Sequence, residues 1–67
     1  MVIYSNSQIS ELIDEWIHSE RDRNILKRRL IDGIAYEPLA EEFFMSTRQV
    51  KRLVYSAQDT LFSKLAR

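Results

Sequence analysis

The apolar residues of this chain recur at three- and four-residue spacing almost from end to end, and no useful length alternates with the two-residue period of a strand. Ile9, Leu12, Ile13, Trp16 and Ile17 form one stripe, with Glu11, Asp14 and Glu15 turned away from it. This spacing predicts an amphipathic helix over residues 6–18. Its start is marked by the Ser5 hydroxyl, by Gln8 three residues on, and by Tyr4, placed to staple onto Ile9. A second stripe, Ile25, Leu26 and Leu30, follows Ser19 as its cap. Glu20 and Asp22 lie in its first turn and Lys27, Arg28 and Arg29 in its last, each sign at the helix end that favours it. Gly33 can take the left-handed conformation that stops this helix.

A third, short helix is expected over Tyr36–Phe43. Pro38 is tolerated there because the amide it lacks would have no helical partner in the first turn. After a break at Phe44 and Met45, three start signals coincide at Ser46: a hydroxyl cap, Gln49 to complete a capping box, and Met45 to staple onto Val50. Val50, Leu53, Val54, Ala57, Leu61 and Leu65 then keep the helical period nearly to the C-terminus. These patterns predict an all-α, four-helix single domain over residues 1–67. Sixty-seven residues suffice for one core and not for two. A hydrophobic fraction of 45% is too high for a disordered tail, while 30% charged residues keep the exterior wet.

Composition then narrows the chemistry. With no cysteine the chain has neither disulfides nor thiolate zinc sites, and the reducing cytoplasm is the expected setting. The apolar start, Met1 to Tyr4, is too short for a signal-peptide core or a membrane span, so no membrane partner is expected. His18 is the single histidine, which argues against a metal site, and no residue pattern calls for a cofactor. Asp14 with Glu15, and Glu41 with Glu42, are sequence neighbours and diverge on a helix, so neither is an acid/base pair. No nucleophile adjoins a base and no glycine loop could cradle phosphate, which points to a protein that is not an enzyme. Trp16, on the apolar stripe of an acidic helix, is expected in the core.

The formal net charge is zero, but the charges are segregated. Residues 1–20 hold Glu11, Asp14, Glu15 and Glu20 and no Lys or Arg; residues 34–45 hold Glu37, Glu41 and Glu42 and again no Lys or Arg. The basic residues lie in two blocks, Arg21 to Arg29 and Arg48 to Arg67. A neutral total thus conceals an acidic side and a basic side.

The segment Tyr36 to Val54, YEPLAEEFFMSTRQVKRLV, reads as two helices joined by a short turn, within a helix-turn-helix expected from Tyr36 to Ser56. Leu39, Phe43, Met45, Val50 and Leu53 are spaced to bury between the two helices, and Ala40 is small where they approach. Thr47, Arg48, Lys51, Arg52 and Tyr55 share the outward face of the second, the layout of a major-groove recognition helix. The candidate DNA-binding residues are therefore Thr47, Arg48, Gln49, Lys51, Arg52 and Tyr55. Gln49 competes with its own role in the capping box, and the Tyr55 hydroxyl can reach the DNA backbone or its ring can pack. Ser46, Arg23, Lys27 and Arg28 are candidate phosphate contacts; for the last three the alternative is surface charge and dipole compensation.

Residues 19–65 resemble the C-terminal, promoter-reading domain of bacterial sigma factors and the short sigma-like regulators of phages and mobile elements in Gram-positive bacteria. The resemblance rests on Arg23, Leu26, Arg29, Leu30 and Gly33, on Leu39, Ala40 and Phe43, and on Ser46, Arg48, Val50, Lys51 and Arg52. It implies base or phosphate contacts from Arg48, Gln49, Lys51 and Arg52, and a role in transcription regulation. The chain departs from the family at two positions. Phe44 stands where the family has a turn glycine, so either the turn differs or strain is stored there. Ala35 replaces the hydroxyl cap of the third helix, a loss of about 1 kcal/mol. One recognition helix reads few base pairs, so a homodimer, RNA polymerase or another protein is expected as a further partner through the acidic first helix. A protein-interaction adaptor, or an accessory to DNA packaging or recombination, is the alternative function.

Overall fold

The computed structural model describes residues 5–65, apart from the Leu65 side chain. Four helices, and no strands, occur among these residues: α1 Asn6–Trp16, α2 Glu20–Leu30, α3 Tyr36–Glu42 and α4 Thr47–Leu65. The periodicity placed all four, and the caps explain their bounds. At α1 the Ser5 hydroxyl accepts from the Gln8 backbone amide at 3.2 Å while the Gln8 side-chain oxygen Oε1 accepts from the Ser5 backbone amide at 2.8 Å. The same reciprocal box starts α4, between Ser46 and Gln49, at 3.1 and 3.0 Å. At α2 the Ser19 hydroxyl accepts from the Asp22 amide at 3.4 Å. Ala35 makes no side-chain cap at α3, as its chemistry requires. The proposed staple by Tyr4 lies outside the described residues.

Helix α1 ends at Trp16, two residues short of the expected bound at residue 18 and one short of the end of its apolar stripe. Ile17 is extended, at φ −108° and ψ 117°, which turns its side chain onto the core as the chain leaves the helix. The freed end is fixed from α2: the Arg23 guanidinium donates to the Ile17 and His18 carbonyls at 3.0 and 2.9 Å.

The core consists of Ile13, Ile25, Leu26, Leu39, Ala40, Val50, Val54 and Leu61, contributed by every helix. Ile9, Leu12, Ile17, Leu30, Phe43, Met45, Leu53 and Ala57 pack around it. Helix α4 touches all three others in a molecule 34 × 20 × 18 Å. Trp16 is not in the core. It is 38% exposed at the edge, where the Lys64 ammonium covers its ring at 4.5 Å, a use of an amphipathic ring that its place on the stripe does not reveal.

Among the described residues two adopt positive φ, both just past a helix end: Gly33 at 72° and Phe44 at 56°. Around Phe44 the Met45 amide donates to the Ala40 carbonyl at 2.9 Å and the Phe44 amide to Glu41 at 3.3 Å. This pair of bonds is a Schellman closure, whose left-handed position normally belongs to glycine. The closure keeps the glycine-type turn, so of the two alternatives raised by Phe44 it is strain that is present.

Candidate nucleic-acid interface

The turn of residues 43–46 sets the direction of α4 relative to α3. With Leu39, Ala40, Val50 and Val54 buried, helical geometry turns Arg48, Lys51, Arg52 and Tyr55 to the opposite side, and all four are exposed. Arg48 lies three and four residues from Lys51 and Arg52, and Tyr55 three and four residues beyond them, so the four span roughly 10 Å of helix axis, about the length of three stacked base pairs. Asp59 and Phe62 continue the same stripe and end its basic part. Thr47 is half-buried, and Ser46 and Gln49 are exposed. The Gln49 carbonyl oxygen is committed to the capping box, which leaves its amide group for any ligand. The Ser46 hydroxyl accepts within the box and keeps its proton to donate.

The basic residues of α2 are held differently. Lys27 meets Asp14 of α1 at 2.7 Å, and Arg23, besides its two carbonyls, stands 3.9 Å from the same carboxylate. Arg28 bridges Glu42 of α3 at 2.8 Å and Asp32 at 3.3 Å. The bond and charge of Glu42, followed by those of Asp32, hold the Arg28 guanidinium above its ordinary pKa. All three α2 candidates for phosphate contact thus have partners within the fold. No ion pair to Arg48, Lys51 or Arg52 is formed among the described residues.

Two residues absent from the sequence-derived site complete this face. Arg29 donates to the Ile34 carbonyl at 3.1 Å and lays its guanidinium 4.3 Å from the centre of the Tyr36 ring. The Lys51 ammonium lies 5.6 Å from the centre of the same ring, and the Tyr55 and Tyr36 rings form a T-shaped pair at 6.2 Å and 75°. Tyr55 therefore packs against Tyr36 while remaining 54% exposed. Its phenol is raised above the ordinary 10.0, chiefly by the neighbouring Tyr36 phenol, with Arg29 acting in the opposite direction. In the sequence Tyr36 reads as a helix start and Arg29 as dipole compensation. Nothing in their spacing to Lys51 and Tyr55 signals the cluster, because the residues come from three helices.

A surface depression of about 220 Å³ lies between α2 and α4, lined by Ile17, Asp22, Leu53, Ser56, Ala57 and Thr60. It contains one carboxylate and no base beside a hydroxyl, and the Thr60 hydroxyl is turned to the Ser56 carbonyl of its own helix. Among the described residues, the outward face of α4 thus groups three cations that no carboxylate neutralises. Comparison with known protein families, curated proteins and solved structures finds no match to this chain.

Proposed function

We propose that the chain binds double-stranded DNA sequence-specifically, with α3 and α4 acting as a helix-turn-helix and α4 as the recognition helix. The observation that carries this reading is the row of Arg48, Lys51 and Arg52 on the outward face of α4, without carboxylate partners among the described residues. Arginine can bond a guanine edge bidentately, and lysine neutralises phosphate as a point charge. In this reading Arg48 and Arg52 carry base contacts, while Lys51, Tyr55, Thr47, Ser46 and the free amide of Gln49 bind backbone. The resemblance to sigma C-terminal domains extends the proposal to transcription regulation in a phage or mobile element of a bacterial cytoplasm. Selection of duplexes from a random pool, repeated at two salt concentrations, tests it. An enriched motif that Arg48→Ala loses, with affinity falling as salt rises, supports the reading. No binding at low salt overturns it.

A second reading has its own observation. Glu11 and Glu15 on α1 are exposed and form no ion pair among the described residues, unlike Asp14, which α2 engages. This acidic surface suits a basic protein partner, such as RNA polymerase, another regulator or a second copy. Under this reading alone, substitution of Arg48 and Arg52 leaves the partner interaction intact, and substitution of Glu11 and Glu15 removes it.

A further inference from the structure

We propose that Tyr36 is a positioning residue for the DNA-facing side of α4, its ring holding the Lys51 ammonium and the Tyr55 phenol in one arrangement before DNA arrives. The inference rests on the DNA-binding reading above and deepens it. Tyr36 is the first residue of α3, half-buried and packed against the core, so the fold itself fixes its ring. Arg29 fixes it again from α2, because that guanidinium is tied to the Ile34 carbonyl while it lies 4.3 Å from the ring centre. Lys51 and Tyr55, one turn apart on α4, both meet this anchored ring, at 5.6 and 6.2 Å.

Lysine has a flexible four-carbon stem, and closing it onto a phosphate ordinarily requires freezing that stem at the moment of binding. The ring restricts Lys51 beforehand. It does so through the attraction of a π face for a cation, which leaves the three ammonium donors for an anionic oxygen. A carboxylate in the same place would restrict Lys51 equally but would neutralise it, as Asp14 does to Lys27.

The test is a double-mutant cycle on the duplex that the wild-type chain selects from a random pool. Tyr36→Leu is expected to weaken binding roughly three- to tenfold, the cost of one newly mobile side chain. Tyr36→Phe, which keeps the ring, is expected to stay within about twofold of wild type. In a Lys51→Ala background Tyr36→Leu is expected to cost clearly less than in the wild type, only the share carried by Tyr55 remaining. An equal loss in both backgrounds assigns Tyr36 a merely structural role and overturns the proposal, as does no loss in either. A second readout needs neither DNA nor the leucine variant: in the free wild-type chain the Lys51 methylene protons should be shifted upfield by the Tyr36 ring current. An unshifted Lys51 overturns the positioning contact. A wild-type chain that selects no duplex overturns the DNA-binding reading itself and the proposal with it, whereas selection with an indifferent Tyr36→Leu overturns the proposal alone.

Discussion

Helices α2 and α4 each carry a cluster of basic residues, and by count alone the one on α2 is the denser. Their surroundings differ. On α2, Arg23 closes the end of α1, Lys27 joins Asp14, and Arg28 ties α3 to the loop at Asp32. On α4, Arg48, Lys51 and Arg52 project from the side opposite the core, and among the described residues their one internal partner is the π face beside Lys51. The α2 cluster holds helices together, whereas the α4 cluster keeps its charge available. The difference teaches that a basic block becomes a candidate nucleic-acid site through what its neighbours leave unpaired, not through its density.

The most forceful way to break this comparison is to remove the α4 charges. Arg48→Ala with Arg52→Ala should lower affinity for a selected duplex about thirtyfold or more, at roughly 1–3 kcal/mol for each lost base contact, read by fluorescence anisotropy. Thermal stability should barely move, because neither side chain supports another element. The α2 cluster should behave in the opposite way. Arg23→Ala should cost about 1 kcal/mol of stability in denaturant unfolding, since two carbonyls at the end of α1 lose a charged donor at a partly exposed site. Affinity for DNA should stay within about twofold once the protein is folded.

Much of this was legible in the sequence. The capping boxes at Ser5 and Ser46 are written in residues three apart, so the starts of α1 and α4 could be read directly. The strain at Phe44 was legible as a bulky residue where a glycine is expected. The basic stripe of α4 follows from helical spacing, because the same periodicity that buries Val50 and Val54 exposes Arg48 and Lys51. What was not legible depends on which elements meet. The pairing of Asp14 with Lys27 and of Glu42 with Arg28 requires helix packing that no local pattern encodes. The Arg29, Tyr36, Lys51 and Tyr55 cluster is hidden for the same reason. The early end of α1 was also missed: Ile17 keeps the helical period but reaches the core from extended backbone.

Smaller effects sharpen the contrast between structural and functional positions. Phe44→Gly places at φ 56° the residue that suits it, as Gly33 already does at 72°. Relief of the left-handed strain should exceed the added chain entropy, for a net gain of about 0.5–1 kcal/mol and a rise of a few degrees in Tm. Phe44 is 97% exposed, so little packing is lost. The smallest effect concerns pH. The folded Tyr55 phenol lies above its ordinary 10.0, so its contribution is full below that pH and is lost as pH rises through the higher folded value. A stability profile in the alkaline range should show this decline for the wild type and a flatter course for Tyr55→Phe.

The central claim is that α4, not α2, offers its charge to DNA. Its most direct test is to measure affinity for one selected duplex across a range of salt concentrations, side by side for wild type, Lys51→Ala and Arg28→Ala. The account predicts a steep salt dependence in the wild type, a slope reduced by about one for Lys51→Ala, and a slope unchanged for Arg28→Ala. A slope that falls for Arg28→Ala and not for Lys51→Ala would contradict it.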